Sequence, residues 1–420
     1  MPIEKIETLV VGGGQAGLAM SEHLGTIGSD HLVLERDRIA ERWRTARWDS
    51  LMTNGPVWHD RFPTKLFSNI APDDFATKEE VALYFEEYAQ QINAPIRCGV
   101  EVTGARRLEQ DIGFHIETSR GEIQADNLVV ATGPFQKPII PPVIPDTANI
   151  LQMHSNTYQN PQQLPEGAVL VVGAGSSGTQ IADELLRAGR QVYLSVGPHD
   201  RPPRRYRGQD FVWWLGVLGK WDNEVAAPGK EHVTIAVSGA YGGRTINFKE
   251  LGNDGMTLVG MTQSYADGVI HLAQDLVENV AQGDENYLGL LDEADEYVRE
   301  SGLSMPDDPQ ARDIKPDPDC LTNPLTQLHL ADAGVNAVIW ATGYSVDYSW
   351  LDVDVTDQQN KPVHQRGVTA VPGLYFLGLP WQSRRGSAFI WGVWHDAKYL
   401  ADHIGKQKTY LDYLAQSSTG

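Results

Sequence analysis

Two glycine-rich stretches carry the residue spacing most suited to chemistry. Gly12, Gly14 and Gly17 form a G-x-G-x-x-G pattern between Thr8–Val11, which reads as a buried strand, and a helical run from Leu18 to Leu24. Gly173, Gly175 and Gly178 repeat the pattern between AVLVV (168–172) and TQIADELLRAG. In such a turn the first glycine permits the tight bend, the second lets backbone approach a pyrophosphate, and the third lets the helix pack on the sheet. The helix start adds free N–H groups and partial positive charge. Glu35 ends the next strand, His31 to Leu34, 18 residues after Gly17, where an acid suits the ribose of an adenine dinucleotide. The alternative is an ordinary strand–turn–helix with a surface glutamate. In the second copy Ser195 and Gly197 stand where the acid stood, and Arg201, Arg204, Arg205 and Arg207 follow. Serine with nearby arginine suits a 2′-phosphate, hence NADP over NAD; the alternative is Arg–carboxylate pairing on the surface.

Other side chains offer binding rather than proton chemistry. Trp43, Trp48 and Trp58 lie among Arg42, Arg44 and Arg47, a mixture that covers a planar cofactor and its phosphates or anchors a surface loop. No acid–base dyad or metal cluster stands out. Cys98 and Cys320 are far apart and no C-x-x-C exists, which disfavours a redox-active dithiol and suits two small buried side chains in a reducing cytosol.

These residues need two sheets to position them. At 420 residues the chain exceeds one core, so two or three domains are expected. Its net charge of −21 argues against nucleic acid and anionic membrane as partners. The first strand leaves no room for a signal peptide, so a cytoplasmic location is expected. FVWWLGVL (211–218) is too short to span a bilayer and reads as core or substrate-channel lining, with a membrane-surface contact as the lesser alternative. Thr77 with Glu80 reads as the capped start of a helix to Ile92, its apolar stripe being Val81, Leu83, Tyr84 and Tyr88. A β-meander is expected from Ile96 to Val130, leading into Ala131-Thr132-Gly133. PFQKPIIPPVIP (134–145) forbids helix and marks a domain boundary. Acids at 284, 285, 292, 293, 295 and 296 read as the solvated face of helices between 275 and 300, and AVIW (337–340) as a strand ending in Ala341-Thr342-Gly343. A final helix is expected over Ser387 to Ile404, with a polar tail beyond.

Two dinucleotide turns, two ATG turns and a terminal strand–Gly–helix resemble the two-dinucleotide-binding flavoproteins, and within them the class B flavin monooxygenases, including the flavin-containing and plant indole-pyruvate monooxygenases. The resemblance rests on GGGQAG, on Ser50-Leu51-Met52-Thr53-Asn54 against S-L-x-T-N, on GAGSSG, on VIWATGY, and on GLYFLGL followed by Arg384-Arg385-Gly386. The fingerprint F-x-G-x-x-x-H-x-x-x-[YF] is met only in its second half: His154 and Tyr158 fit, whereas Ala148 and Ile150 replace Phe and Gly. A Trp near the Tyr158 position would mark the Baeyer–Villiger subgroup, which is therefore disfavoured. His154 is read as a structural residue, a linker or domain-motion residue, or a catalytic one.

The resemblance implies an α/β fold of two Rossmann-like domains, the second inserted into the first. FAD would occupy 1–155 with 320–420, and NADPH 160–318, the latter with a helical insertion. It implies FAD contacts at Gly12, Gly14, Gln15, Ala16, Gly17, Glu35, Arg36, Arg42, Trp43, Val102, Thr132 and Gly133. NADPH contacts would fall at Gly173, Gly175, Ser176, Ser177, Gly178, Ser195, Arg204 and Arg205, with Ala341, Thr342 and Gly343 as the second ATG turn beside the cofactors. The implied activity is insertion of one O2-derived oxygen atom into a small substrate at N, S or electron-rich carbon, through a C4a-(hydro)peroxyflavin. Asn54 would be the catalytic residue near the reacting face; otherwise it is a turn residue before Gly55-Pro56. The same sites would also serve an NAD(P)H oxidase or reductase, or a flavin-bound sensor. A homodimer is compatible with the sequence, and no metal is implied.

Overall fold

A computed structural model describes residues 3–109, 112–224 and 234–418. The chain opens with β1 (Glu4–Val11), α1 (Gln15–Thr26), β2 (His31–Glu35), α2 (Glu41–Thr45) and α3 (Lys78–Gln91). It continues through β3 (Ile96–Cys98), β4 (Val102–Arg107), β5 (Phe114–Thr118) and β6 (Gly121–Val130), then a connector with the short β7 (Lys137–Pro138). The middle of the chain holds β8 (Leu151–His154), β9 (Ala168–Val172), α4 (Ser176–Arg187), β10 (Val192–Ser195), the hairpin β11 (Arg205–Tyr206) and β12 (Gln209–Asp210), and α5 (Phe211–Val217). Then come α6 (Phe248–Asn253), β13 (Thr257–Val259), β14 (Thr262–Ala266), β15 (Val269–Leu272), α7 (Leu276–Ser301), α8 (Asp319–Thr322), β16 (Gln327–His329) and β17 (Val335–Trp340). The chain returns through β18 (Tyr344–Ser345), β19 (Leu351–Asp352) and β20 (Leu374–Phe376) to the long α9 (Ile390–Ser418).

Two sheets organise these elements. The first runs β19-β4-β5-β6-β1-β2-β3, with β20 also on β6; β1 lies parallel to both neighbours. The second runs β13-β10-β9-β17-β8, every pair parallel. Central strands covered on both faces read as continuous apolar runs, and Ala168 to Val172 are all buried, as are Leu9 to Val11. Helix α1 packs on α9 through a core that includes Met20, Leu24, Val393, Leu400 and Ile404.

Several expectations change. Strands Leu151–His154 and Val335–Trp340 hydrogen-bond in the second sheet, although the boundaries expected from sequence gave both to the first domain. An apolar strand ending in ATG fits either sheet, because the two halves are pseudo-symmetric. The meander strands read from GVEVTGARRLE, GFHIETSR and GEIQADNLVV are β4, β5 and β6, while β3, at the start of the expected range, instead extends the sheet parallel to β2. In α3 the buried stripe is Val81, Tyr84, Phe85 and Tyr88, while Leu83 is 52% exposed. Helix α9 continues to Ser418, through the stretch expected as a polar tail. At the domain crossing, β7 pairs antiparallel with β18, so the outgoing and returning connections run side by side.

Candidate active site

The two glycine turns are built alike. Gly12 has φ +115° and Gly173 φ +111°, and a Cβ on either would come 2.5 Å from the carbonyl oxygen of Ala131 or Ala341 respectively. Each ATG turn therefore lies directly against the glycine turn of its own sheet. A Cβ on Gly17 would fall 1.8 Å from the Gly12 oxygen, and one on Gly178 at 1.8 Å from the Gly173 oxygen, so helix and turn touch backbone to backbone. By contrast, a Cβ on Gly14 meets no atom within 4 Å. The first cradle is thus open where a pyrophosphate must approach, in front of the α1 N-terminus at Gln15, Ala16 and Gly17. Gly133 and Gly343, both at positive φ, likewise face open space.

Around the first cradle, Glu35, Gln15 and the Ala131-Thr132-Gly133 turn are tied to the glycine turn and its helix, with Gly13 added. Glu35 accepts hydrogen bonds from Gly13 N at 2.7 Å and Asp37 N at 2.9 Å. Its two oxygens keep spare lone pairs for a ribose hydroxyl. Gln15 Nε2 donates to Ala388 O at 2.8 Å, joining this cradle to the turn before α9. Arg36 is exposed and paired with Asp37. Arg42 donates to Phe135 O at 2.5 Å; burial pushes its guanidinium below the ordinary range, and burial does the same to Arg47. Trp43 packs against both principal cores. Val102 opens β4, half-buried. Gln136 holds Thr132 Oγ1 at 3.0 Å and Gly133 O at 2.8 Å.

The second cradle is tighter. A Cβ on Gly175 would sit 3.3 Å from Thr234 Cγ2. Ser176 begins α4, yet its hydroxyl donates to Ile235 O at 2.8 Å, so only its backbone is left for a nucleotide; Ser177 beside it is half-buried. Thr342 Oγ1 donates to Ile139 O at 2.6 Å. The 2′-phosphate reading of Ser195 and Arg204 is corrected. Ser195 is buried, donating to Gly260 O at 3.0 Å and accepting from Thr262 N at 3.1 Å. Arg204 is buried against Asp210 at 2.6 Å, between the rings of Phe75 and Phe211. Arg201 pairs with Asp284 at 2.5 Å and Arg207 with Asp295 at 2.6 Å. Asp284 is consequently buried rather than solvated. Only Arg205 of the four arginines is exposed. Arg–carboxylate pairing took the cluster, mostly in the interior.

Asn54 lies where the halves meet. Its side-chain Oδ1 accepts from Gln180 Nε2 at 2.9 Å, and its backbone oxygen accepts from Arg204 Nη1 at 2.7 Å. Gln180 projects from α4 and is itself held by Val237 O at 2.7 Å. Both oxygens of Asn54 are therefore fixed by the second half of the chain, and Nδ2 has no protein partner among the described residues. His154 is satisfied on both nitrogens: Nδ1 lies 2.9 Å from Asn156 Oδ1 and 3.2 Å from Asn156 N, and Nε2 lies 2.9 Å from Gly343 O. Burial lowers its pKa, which favours the neutral ring. Of its three readings the structural one accounts for these contacts. Tyr158 donates to Glu184 at 2.6 Å.

Sequence reasoning missed a dyad. His59 Nδ1 lies 2.7 Å from Asp60 Oδ1, while Asp60 Oδ2 accepts from Gly55 N at 2.9 Å. The imidazole stacks on Trp221 and meets Trp58 and Trp391 edgewise. An adjacent His-Asp pair is no signal by itself, and two of the tryptophans come from more than 160 residues away.

Comparison with known proteins agrees with this architecture. The pyridine nucleotide-disulphide oxidoreductase family matches residues 9–209. An uncharacterized CzcO-like oxidoreductase of Geobacillus kaustophilus is 36% identical over 403 residues, covering 95% of this chain and 98% of that protein. The probable indole-3-pyruvate monooxygenase YUCCA1 of Arabidopsis thaliana is 30% identical over 193 residues, 45% of this chain and 46% of that one. The flavin-containing monooxygenase of Stenotrophomonas maltophilia superposes with a TM-score of 0.66 at 18% identity, over 96% of this chain and 99% of that one. Near-complete coverage at this identity, on a frame of two opposed dinucleotide folds, means that the chain belongs to the CzcO-like oxidoreductases, enzymes of the flavin oxidoreductase type that are class B flavin monooxygenase-like.

Proposed function

We propose that the protein holds FAD in the first cradle and NADPH in the second, and inserts one oxygen atom of O2 into a small organic substrate at nitrogen, sulfur or electron-rich carbon. The balance is substrate, O2, NADPH and a proton going to oxygenated substrate, NADP+ and water. The observation that carries the reading is the placement of Asn54, fixed by Gln180 and Arg204 from the opposite half, with Nδ2 unpartnered among the described residues. The pyridine nucleotide family match and the flavin-containing structural relative support the two cofactors. Bound FAD would supply the redox chemistry, taking hydride from NADPH and activating O2.

The chain's own residues bind, orient and exclude water. Gly12, Gly14 and Gly17 with the α1 N-terminus would take the FAD pyrophosphate, and Glu35 the ribose. Gly173, Gly175 and Gly178 would take that of NADPH. Asn54 Nδ2 would donate toward the reacting face. Trp221 and Trp391 close the region beside His59 with large apolar surfaces, which keeps water from diverting activated oxygen to H2O2.

NADPH consumption, oxygenated product and H2O2 measured together over amine, sulfide and aromatic substrates test this. Product should account for most NADPH with at least one class; stoichiometric H2O2 throughout would overturn it. In Asn54→Ala, FAD should stay bound while the product fraction falls by about tenfold or more, since a hydrogen bond to a charged group is worth about 1.5–3 kcal/mol. Unchanged coupling would remove Asn54 from the mechanism.

A further inference from the structure

The His59–Asp60 pair has a geometry that the cofactor cradles do not require. Asp60 binds His59 Nδ1 with one oxygen and Gly55 N with the other, so a single carboxylate fixes both the ring and the backbone next to Asn54. Its side chain and that of His59 are only 13% and 11% exposed. The ring stands between Trp221, 5.5 Å away and nearly parallel, and Trp391, 5.2 Å away and edgewise. Trp391 lies in the first turn of α9, directly after the turn that Gln15 grips from the first cradle. His59 thus sits between the Asn54 loop and the start of α9. Nδ1 is used, whereas Nε2 has no protein partner among the described residues. Nearby, Trp391 Nε1 and Arg384 Nε are buried donors without acceptors among the described residues. A carboxylate-held imidazole with one free nitrogen, walled by three indoles, is arranged to exchange a proton with a bound molecule.

We infer that His59, positioned by Asp60, is the acid–base residue of this site and removes a proton from the nucleophilic heteroatom of a substrate lodged against Trp58, Trp221 and Trp391. This rests on the monooxygenase reading. For a primary amine arriving as its ammonium form, an N–H bond breaks, the electron pair stays on nitrogen, and the proton bonds to Nε2. The neutral amine then takes one oxygen atom from O2, with NADPH as reductant and water as the other product. His59 returns its proton to water as the hydroxylamine leaves. The charged and titratable groups around the ring fit this role. Asp60 and Arg61 come from its own loop, Lys220 and Asp222 flank Trp221, and Arg384, Arg385 and His395 come from the α9 end. Arg384 is neutralised by Asp222. Arg385 lies over Trp221, and the Asp200 carboxylate, which also acts on Lys220, opposes its charge.

A matched pair of probes separates proton removal from packing. Benzylamine must lose a proton before it is nucleophilic; benzyl methyl sulfide has none to lose and a similar shape. With FAD-loaded wild type both should be oxygenated. His59→Gln should lower kcat/KM for the amine by about 100-fold, the lower end of the range for a general base, and leave the sulfide within about twofold. The variant's amine rate should climb with pH as free amine replaces ammonium, by about tenfold per unit. Asp60→Asn, which keeps shape, should move in the same direction. Quenching of tryptophan emission by the sulfide should give the same dissociation constant in wild type and His59→Gln, which excludes collapse of the tryptophan walls. Equal loss of both probes, or no loss of either, would overturn the inference. Wild type that oxygenates neither would overturn this role, whereas the monooxygenase reading itself falls only with stoichiometric H2O2 across the amine, sulfide and aromatic substrates together.

Discussion

The carboxamide of Asn54 is oriented from outside its own loop. Gln180 donates to its Oδ1, so the amide nitrogen must point elsewhere, and Arg204 grips the backbone oxygen of the same residue. Gln180→Leu removes the first contact without altering the glycine turn at the other end of α4. The expected outcome is a two- to tenfold rise in H2O2 per NADPH, measured as peroxide yield, because one lost hydrogen bond is worth about 0.5–1.5 kcal/mol. An unchanged yield would mean that the loop holds Asn54 unaided. Arg204→Met is expected to cost more. It strands the Asp210 carboxylate, 7% exposed, and breaking one partner of such a pair costs about 3–5 kcal/mol, read as a lower denaturant midpoint. The glycine turn and the position of Glu35 beside it were legible in the sequence because that geometry is local to one strand–turn–helix. The fate of Ser195 and Arg204 was not, because their partners are set by packing: Gly260 and Thr262 for one, Asp210 and the rings of Phe75 and Phe211 for the other. A run of arginines looks the same whether it awaits a phosphate or already holds carboxylates. His59 was hidden for the same reason, since its meaning depends on indoles from two distant segments.

Helix α3 illustrates what an element's sequence can and cannot say. Thr77 Oγ1 accepts from Glu80 N, and Glu80 reaches back to Thr77 N at 2.8 Å, the capping box that the T-x-x-E spacing implies. Thr77→Ala should cost about 1 kcal/mol, visible as a lower thermal midpoint. No change would mean that burial of Val81, Tyr84, Phe85 and Tyr88 holds the helix start without the cap. The start was legible from four residues, whereas the buried face was legible only in part. Leu83 is as apolar as its neighbours but points away from the core, and Phe85 completes the i, i+3, i+4, i+7 stripe instead. Likewise β17 was readable as a strand, but which sheet receives it depends on pairing with β8 and β9.

At the scale of the molecule, neutral histidines are distributed through both halves. Burial lowers the pKa of His23, His31, His154, His199 and His364. The unfolded chain therefore takes up protons before the folded one does. Their stabilising contribution is full above the ordinary histidine range, about 6.5, and is lost as pH falls through it toward the folded values. Thermal midpoints in about 0.5 M salt, which screens the repulsion of a −21 chain, should fall between about pH 7.5 and pH 5.5. A flat profile would show that these rings are already as hydrated in the fold as out of it.

The two halves also make separable demands on the cofactors. Gly17 and Gly178 are equivalent by geometry, each 1.8 Å from its own turn if given a Cβ, but they belong to different sheets. Flavin absorbance, recorded before and after anaerobic addition of NADPH to wild type, Gly17→Ala and Gly178→Ala, addresses the central claim most directly. Wild type should be yellow and bleach, Gly17→Ala should be purified without flavin, and Gly178→Ala should stay yellow and bleach slowly or not at all. A Gly178→Ala protein that keeps its flavin and bleaches at the wild-type rate would contradict the assignment of two cradles to two nucleotides.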